Sequence, residues 1–317
     1  MNIVEIKNLD LSFKLENGIF QTLYNVSLSL KQGEIHALVG ESGCGKSVTA
    51  MSIIKLLPKN AVITSGEIIY NGDNILNYDK NSMRKLRGSD IVLIPQDPMT
   101  SLNPLYTIGN QLAEVINKNN TMNKKEIYDK TIEVLSLVKI PNPKEKIDSY
   151  PHELSGGMKQ RVIIAMALAA NAKIIIADEP TTALDVTIQA EIMKLLCDIK
   201  TNFNTSILLI THDLGLVGKY ADEVSVMYSG HIVENASKNE FFNNVTHPYS
   251  KALMESLPAN TSGKILKTIN GQPPSIQEKI TGCRFSPRCE FHDTTLCDTN
   301  PKLIDIGNNH MVACNKL

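Results

Sequence analysis

The chain has little of what a nucleic-acid-binding protein uses. Aromatic residues make up 5% of its 317 positions, and 32 lysines and arginines are matched by 33 aspartates and glutamates, for a formal net charge of -1. Without an excess of positive charge to draw in a polyanion, or aromatic faces on which bases could stack, nucleic acid is not an expected partner. A long apolar run is missing too. The greasiest region, Val162 to Ala177, is interrupted by Asn171 and Lys173 and falls short of the roughly 20 residues that cross a bilayer. It reads instead as a helix end followed by a strand. Met1-Asn2-Ile3-Val4-Glu5 has neither the basic nor the long apolar region of a secretory signal, so the cytoplasm is the expected compartment. Cysteines number six, and in a reducing compartment they read as thiols or metal ligands before disulfides. What is present, 42% hydrophobic residues, suits one large folded domain or two smaller ones.

One stretch organises the rest. Gly40-Glu41-Ser42-Gly43-Cys44-Gly45-Lys46-Ser47 satisfies the phosphate-loop pattern G-x-x-x-x-G-K-[ST] at every fixed position. The preceding Ile35 to Val39 reads as a buried strand. Apolar residues at Val48, Met51, Ile54 and Leu57 predict a helix from Lys46 to Leu57, stopped by Pro58. In a strand-loop-helix unit the loop amides and the helix N-terminus face an anion together. Lys46 can then reach terminal phosphates and the Ser47 hydroxyl can ligate Mg2+. The chemistry expected is nucleotide binding.

The flanking chain supplies a sheet. Ile3 to Phe13 and Val26 to Leu30 read as strands around a Glu16-Asn17-Gly18 turn, and Glu67 to Tyr70 precedes the hairpin signal Asn71-Gly72. Ile91 to Ile94 is a short apolar strand that Pro95-Gln96-Asp97-Pro98 ends, leaving Gln96 at its tip. From about Met99 to Gly157 the pattern becomes helix and loop, with Ile127, Thr131, Val134, Leu135 and Val138 along one face. Gly156 and Gly157 stand before a helix whose N-terminal amides would form a second anion site. Ile174 to Ala177 is an unbroken apolar strand closing on Asp178 and Glu179, whose side chains would alternate to opposite sides. Ser206 to Thr211 is another, and it delivers His212 and Asp213. Intervening helices imply parallel pairing. Glu223 to Tyr228 and His231 to Glu234 form a hairpin over Ser229-Gly230, and Phe241 to Leu257 is helical with a break at Pro248. The polar stretch from Pro258 reads as an appendage outside the sheet.

In this order GESGCGKS, Gln96, LSGGMKQR, IIIADEP, Ala183-Leu184-Asp185 and Thr211-His212-Asp213 resemble the ATP-binding subunits of ABC transporters. IPQDPMTSLNP, YPHELSGGMKQR, THPYSKALMESLP and GCRFSPRC are similar to the oligopeptide/dipeptide (and nickel) importer branch. The resemblance implies an α/β fold: a P-loop NTPase core with a parallel sheet, an antiparallel β subdomain, a helical subdomain over about 99–157 and a C-terminal extension. The ATPase domain would span 1–257 and the extension 258–317. It implies ATP and Mg2+ as cofactors, with Gly40, Glu41, Ser42, Gly43, Cys44, Gly45, Lys46, Ser47 and Val48 around the phosphates. Ser47 and Gln96 would complete the Mg2+ ligands and Asp178 would orient the ion through its waters. Glu179 would be the general base and His212 the γ-phosphate contact. Phe13 fits the adenine-stacking position, with Phe20 nearby as the alternative. Ser155, Gly156 and Gly157 would bind the nucleotide of an opposing subunit, with Asp185 at the same interface.

The implied partners are a second ATPase subunit, related or identical, two membrane permease subunits and, indirectly, an extracytoplasmic solute-binding protein. The implied location is the cytoplasmic face of the membrane. The implied cargo is a peptide, with nickel or another small solute as alternatives. A soluble ABC protein acting on ribosomes or DNA is the competing class. Such proteins carry two ATPase units or a long coiled coil, and this chain has neither. Cys283, Cys289, Cys297 and Cys314, spaced C-x5-C-x7-C-x16-C, leave free thiols, zinc and iron-sulfur open. Resemblance of the tail to peptide-importer ATPases favours a [4Fe-4S] cluster. Cys44, Cys197, His36, His152 and His247 read as structural.

Overall fold

A computed structural model of the chain describes residues 1–118, 122–182, 184–257 and 268–317. These fall into two compact units, Met1–Asn77 with Ile210–Leu317, and Tyr78–Leu209. Pro258, the expected start of the C-terminal extension, lies outside the described residues, as does Ala183 of the Ala183-Leu184-Asp185 motif.

The first unit opens with β1 (Asn2–Leu15) and β2 (Gly18–Lys31), a long antiparallel hairpin. β3 (Ile35–Val39) is buried at all five positions, which accounts for its lack of polar alternation. His36 within it has Nδ1 2.9 Å from the Ser29 carbonyl oxygen and Nε2 2.8 Å from the Ser225 hydroxyl. Burial pushes its pKa down to about 4, so it is a neutral core residue. α1 (Lys46–Ile53) is shorter than the apolar stripe implied. Lys55 takes a left-handed conformation (φ 49), with Leu56 N donating to Met51 O at 3.0 Å and Lys55 N to Ser52 O at 3.2 Å. This paired reversal ends the helix before Pro58 is reached. β4 (Ala61–Tyr70) adds to β1, and β5 (Asp73–Asn74) folds back across Asn71-Gly72, both at positive φ, giving the sheet order β2-β1-β4-β5.

The second unit contains α2 (Lys80–Ser89), β6 (Ile91–Ile94), α3 (Pro98–Ser101), α4 (Ile108–Lys118), α5 (Lys124–Leu137), α6 (Pro143–Lys146), α7 (Gly156–Ala169), β7 (Ile174–Asp178) and α8 (Val186–Phe203). The chain leaves it along β8 (Ser206–Thr211). β6 and β7 pair in parallel from Ile91↔Ile174 to Ile94↔Ala177. β7 and β8 are buried at every position, as expected of their unbroken apolar runs. Thr131, Val134, Leu135 and Val138 form the buried face of the α5 region. α7 is enclosed on most sides, and its buried Arg161 donates to the Val138 carbonyl at 2.8 Å and to Glu191 at 2.6 Å. Two good acceptors are what make a buried guanidinium tolerable.

Back in the first unit come α9 (Leu214–Tyr220), β9 (Glu223–Tyr228), β10 (His231–Ser237), α10 (Lys238–Asn244), α11 (Pro248–Glu255), β11 (Ile304–Asp305) and β12 (Met311–Val312). β9 runs parallel to β3 and antiparallel to β10. The C-terminal stretch is not an appendage outside the sheet: β12 pairs with β10 at Glu234↔Val312, and β11 pairs with β12. Glu234, fully buried in β10, holds this junction. Its carboxylate accepts from Thr246 N at 2.8 Å and His247 N at 3.0 Å, and lies 2.7 Å from His310 Nε2. Phe285 packs edge-on against Tyr228 (5.1 Å) and against Tyr249 (5.4 Å). The tail therefore draws its apolar anchorage from the core of this unit. Two-residue strands carry no periodicity, which is why the sequence pattern does not reveal them.

Candidate active site

In the first unit the loop 40–47 runs from the end of β3 to the start of α1, as its sequence demands. A Cβ on Gly40 would lie 2.2 Å from Met227 O, and one on Gly45 (φ +112) 2.9 Å from a Leu23 methyl. Only glycine fits these positions. The turn joining β9 to β10 closes on the loop, with Gly230 N donating to Cys44 O at 2.8 Å. Ser42 and Gly43 form the exposed tip, whereas Cys44 and Lys46 are buried and Ser47 and Val48 half-buried. Lys46 Nζ donates to the carbonyls of Gly40 (2.8 Å) and Glu41 (2.9 Å), so its ammonium is folded against the loop it belongs to. Burial raises the Cys44 thiol pKa, which leaves it a poor nucleophile and agrees with its structural reading. Tyr249 and the Ser229-Gly230 turn, absent from the sequence reading of the site, both contact the loop. Glu41 N donates to the Tyr249 hydroxyl at 2.9 Å.

Phe13 and Phe20 are direct cross-strand partners on β1 and β2. Opposed residues of an antiparallel pair share one face, so both rings stand at the same place in the hairpin and either could meet a base. His212 follows β8 and is exposed. Asp213 after it caps α9, accepting from Gly215 N (2.8 Å) and Leu216 N (3.2 Å).

In the second unit Asp178 closes β7 and is 5% exposed. Strand alternation is not what separates it from Glu179. Glu179 lies beyond the strand with φ +46, a left-handed backbone that a non-glycine residue adopts at a cost. Its Oε2 accepts from Gln96 Nε2 at 3.0 Å and from Thr182 Oγ1 at 2.9 Å. Gln96, two residues past β6, thus meets Glu179 directly. Thr182 was not visible as a partner in the sequence. Ser155 is the exposed N-cap of α7, accepting from Met158 N at 3.3 Å, and Gly156 and Gly157 form the first turn. A Cβ on Gly157 would lie 2.7 Å from Ile188. Asp185 is the exposed N-cap of α8, accepting from Ile188 N at 3.0 Å.

The four C-terminal cysteines, far apart in sequence, line one cavity of about 230 Å³ with His247, Phe285 and Phe291. Cys283 N donates to Cys297 O at 2.9 Å, bringing those segments together. Burial raises the thiol pKa of Cys283 and Cys289. Among the described residues no group of three or more His, Cys, Asp or Glu side chains is drawn together as a site for a metal ion. No helix among them is long and apolar enough to cross a membrane.

A glycine-lined loop with a buried lysine, and a carboxylate held just past a buried strand, are the parts of a phosphoryl-transfer ATPase. The ABC transporter family model matches residues 23–182, and a model of the oligopeptide/dipeptide transporter C-terminal region matches residues 233–297. The chain belongs to the ABC transporter family and is an ATPase of that type. Within the family it is 44% identical to the dipeptide transport ATP-binding protein DppD of Bacillus subtilis over 98% of this chain and 94% of that one. To the oligopeptide transport ATP-binding protein OppD of the same organism it is 44% identical over 98% and 87%. Among solved structures it resembles the dimeric ABC cassette MJ0796 bound to ADP and Pi, at 28% identity and TM-score 0.67 over 74% of this chain and 98% of that one.

Proposed function

We propose that the chain is the ATP-hydrolysing subunit of a membrane importer of di- or oligopeptides, working at the cytoplasmic face as half of a head-to-tail ATPase pair. The observation that carries the cargo class is the near full-length similarity to DppD and OppD, combined with the match of residues 233–297 to the peptide-transporter C-terminal region. In this reading residues 1–257 are the ATPase domain and 258–317 the extension. The amides of residues 40–47 and the Lys46 ammonium hold the phosphates, and the adenine stacks at Phe13. Ser47, Gln96 and Asp178 offer hydroxyl, amide and carboxylate oxygens, a hard donor set that fits Mg2+, which when bound screens phosphate charge. Glu179 takes the proton of the attacking water as its oxygen bonds to the γ-phosphorus and the bond to ADP breaks, with Gln96 and Thr182 fixing the carboxylate. His212 contacts the γ-phosphate. Ser155, Gly156, Gly157 and the N-terminus of α7 offer donors to the nucleotide of the opposing subunit, beside Asp185. Permease docking falls to the region from Met99 to Leu105, where both of those side chains are exposed.

A strain lacking the chain should lose uptake of labelled di- or oligopeptides, and the tagged chain should copurify with two membrane subunits and crosslink to them from positions 99–105. Normal peptide uptake with loss of another solute would refute the cargo. Copurification with ribosomes or DNA would refute the importer.

The reading of Cys283, Cys289, Cys297 and Cys314 as ligands of a [4Fe-4S] cluster rests on the tail's resemblance to peptide-importer ATPases and on four thiols lining one cavity, since a cubane would spread its four ligands over four irons instead of crowding them on one ion. Its role would be structural, fixing the tail. Protein purified anaerobically should be brown, with broad absorbance near about 400 nm. Colourless protein with four titratable tail thiols would exclude a metal, and stoichiometric zinc would replace iron.

A further inference from the structure

The short turn Ser286–Arg288, between Cys283 and Cys289, carries a side chain that none of these roles uses. The side chain of Arg288 is 5% exposed and reaches back to the phosphate loop. Its Nη1 donates to Glu41 Oε2 at 2.7 Å and its Nη2 to Glu41 Oε1 at 3.0 Å, a two-pronged pair. Nε donates to the Asn270 carbonyl at 2.9 Å, and the guanidinium lies 5.8 Å from the Tyr228 ring centre. Glu41 is in turn held at its amide by Tyr249 and at its carbonyl by Lys46. Every polar group of this loop residue therefore has a partner, and among the described residues the extension's Arg288 is what holds its carboxylate.

Glu41 is an awkward residue for its place. A carboxylate beside a loop that receives a triphosphate repels the ligand unless a cation neutralises it. A forked, nearly dry guanidinium neutralises it and also fixes its direction, as a lone ammonium does not. We infer that Arg288 is a positioning residue of the nucleotide site: through Glu41 the cysteine-bearing extension neutralises and shapes the phosphate loop and so sets its affinity for ATP. The inference rests on reading residues 40–47 as that loop. Because Arg288 adjoins Cys289, whatever fixes the turn also fixes this clamp.

The test uses the full chain in its assembled transporter, with ATP titrations of hydrolysis and equilibrium binding of a fluorescent ATP analogue. Arg288→Gln should raise KM and the analogue's Kd about five- to tenfold, with kcat at saturating ATP changed less than about twofold. Arg288→Lys should fall between that variant and wild type. Removing the stranded carboxylate in Glu41→Gln/Arg288→Gln should recover affinity relative to Arg288→Gln alone. A purely structural role would lower kcat and leave the double variant no better. Wild-type KM in Arg288→Gln, or no recovery in the double variant, overturns the inference. Should Arg288→Gln not fold, Arg288→Lys decides, a raised KM supporting the inference and a wild-type KM overturning it. Lys46→Ala is the control: if it binds ATP normally, the reading of the loop fails and not the clamp.

Discussion

Glu179→Gln is expected to cut the turnover number at least about a hundredfold while leaving ATP affinity within about twofold of wild type. The geometry explains the split. Glu179 stands past the end of β7 in a left-handed backbone, with Gln96 and Thr182 both donating to Oε2. Neither bond holds a phosphate, so replacing the carboxylate by an isosteric amide removes a proton acceptor and leaves the phosphate-binding groups of residues 40–47 in place. A group that acts only in the transition state lowers kcat without weakening ground-state binding. In the proposed head-to-tail pair, where ATP binding closes the two subunits and hydrolysis reopens them, the variant should also accumulate as an ATP-bound dimer. Single-turnover hydrolysis, ATP binding and size-exclusion chromatography measure the three quantities separately. Hydrolysis at the wild-type rate would remove Glu179 from the base role.

Much of this site was legible in the sequence because its parts are local. The loop 40–47 and the unbroken apolar runs of β3, β7 and β8 are short-range patterns, and each is expected from neighbouring residues alone, whereas the capping of α7 by Ser155 and of α8 by Asp185 comes from the structure. The misses have physical causes as definite as the hits. α1 stops at Ile53 because Lys55 turns left-handed, and no residue type announces that conformation as glycine would. Glu179 was expected to alternate with Asp178 along a strand, but the strand has already ended. The docking of the C-terminal stretch depends on Glu234, whose partners at Thr246, His247 and His310 are 12, 13 and 76 positions away. Arg288 reaches Glu41 across 247 positions. Contacts of that span leave no periodicity to read.

Lys46→Ala should lose at least about a hundredfold in ATP affinity. Lys46 is 5% exposed, and the loop carbonyls of Gly40 and Glu41 accept from its ammonium at 2.8 and 2.9 Å. These are also the bonds that a triphosphate would take over, exchanging neutral acceptors for charged ones. A hydrogen bond to a charged group contributes about 1.5–3 kcal/mol, so losing the cation from two such contacts, about 3 kcal/mol at the lower end, corresponds to at least roughly a hundredfold in Kd. Without Lys46 the Glu41 carbonyl still accepts from Cys44 N at 3.3 Å, and Tyr249 and Arg288 still hold the Glu41 amide and carboxylate, so the loop keeps its shape. Thermal melts separate loss of binding from loss of fold. ATP at about a hundred times the wild-type Kd should raise the melting temperature of wild type through mass action and barely move that of Lys46→Ala, while the ligand-free melts of the two lie close together. A variant whose melt still rises with ATP as wild type does would show that the phosphates are held elsewhere.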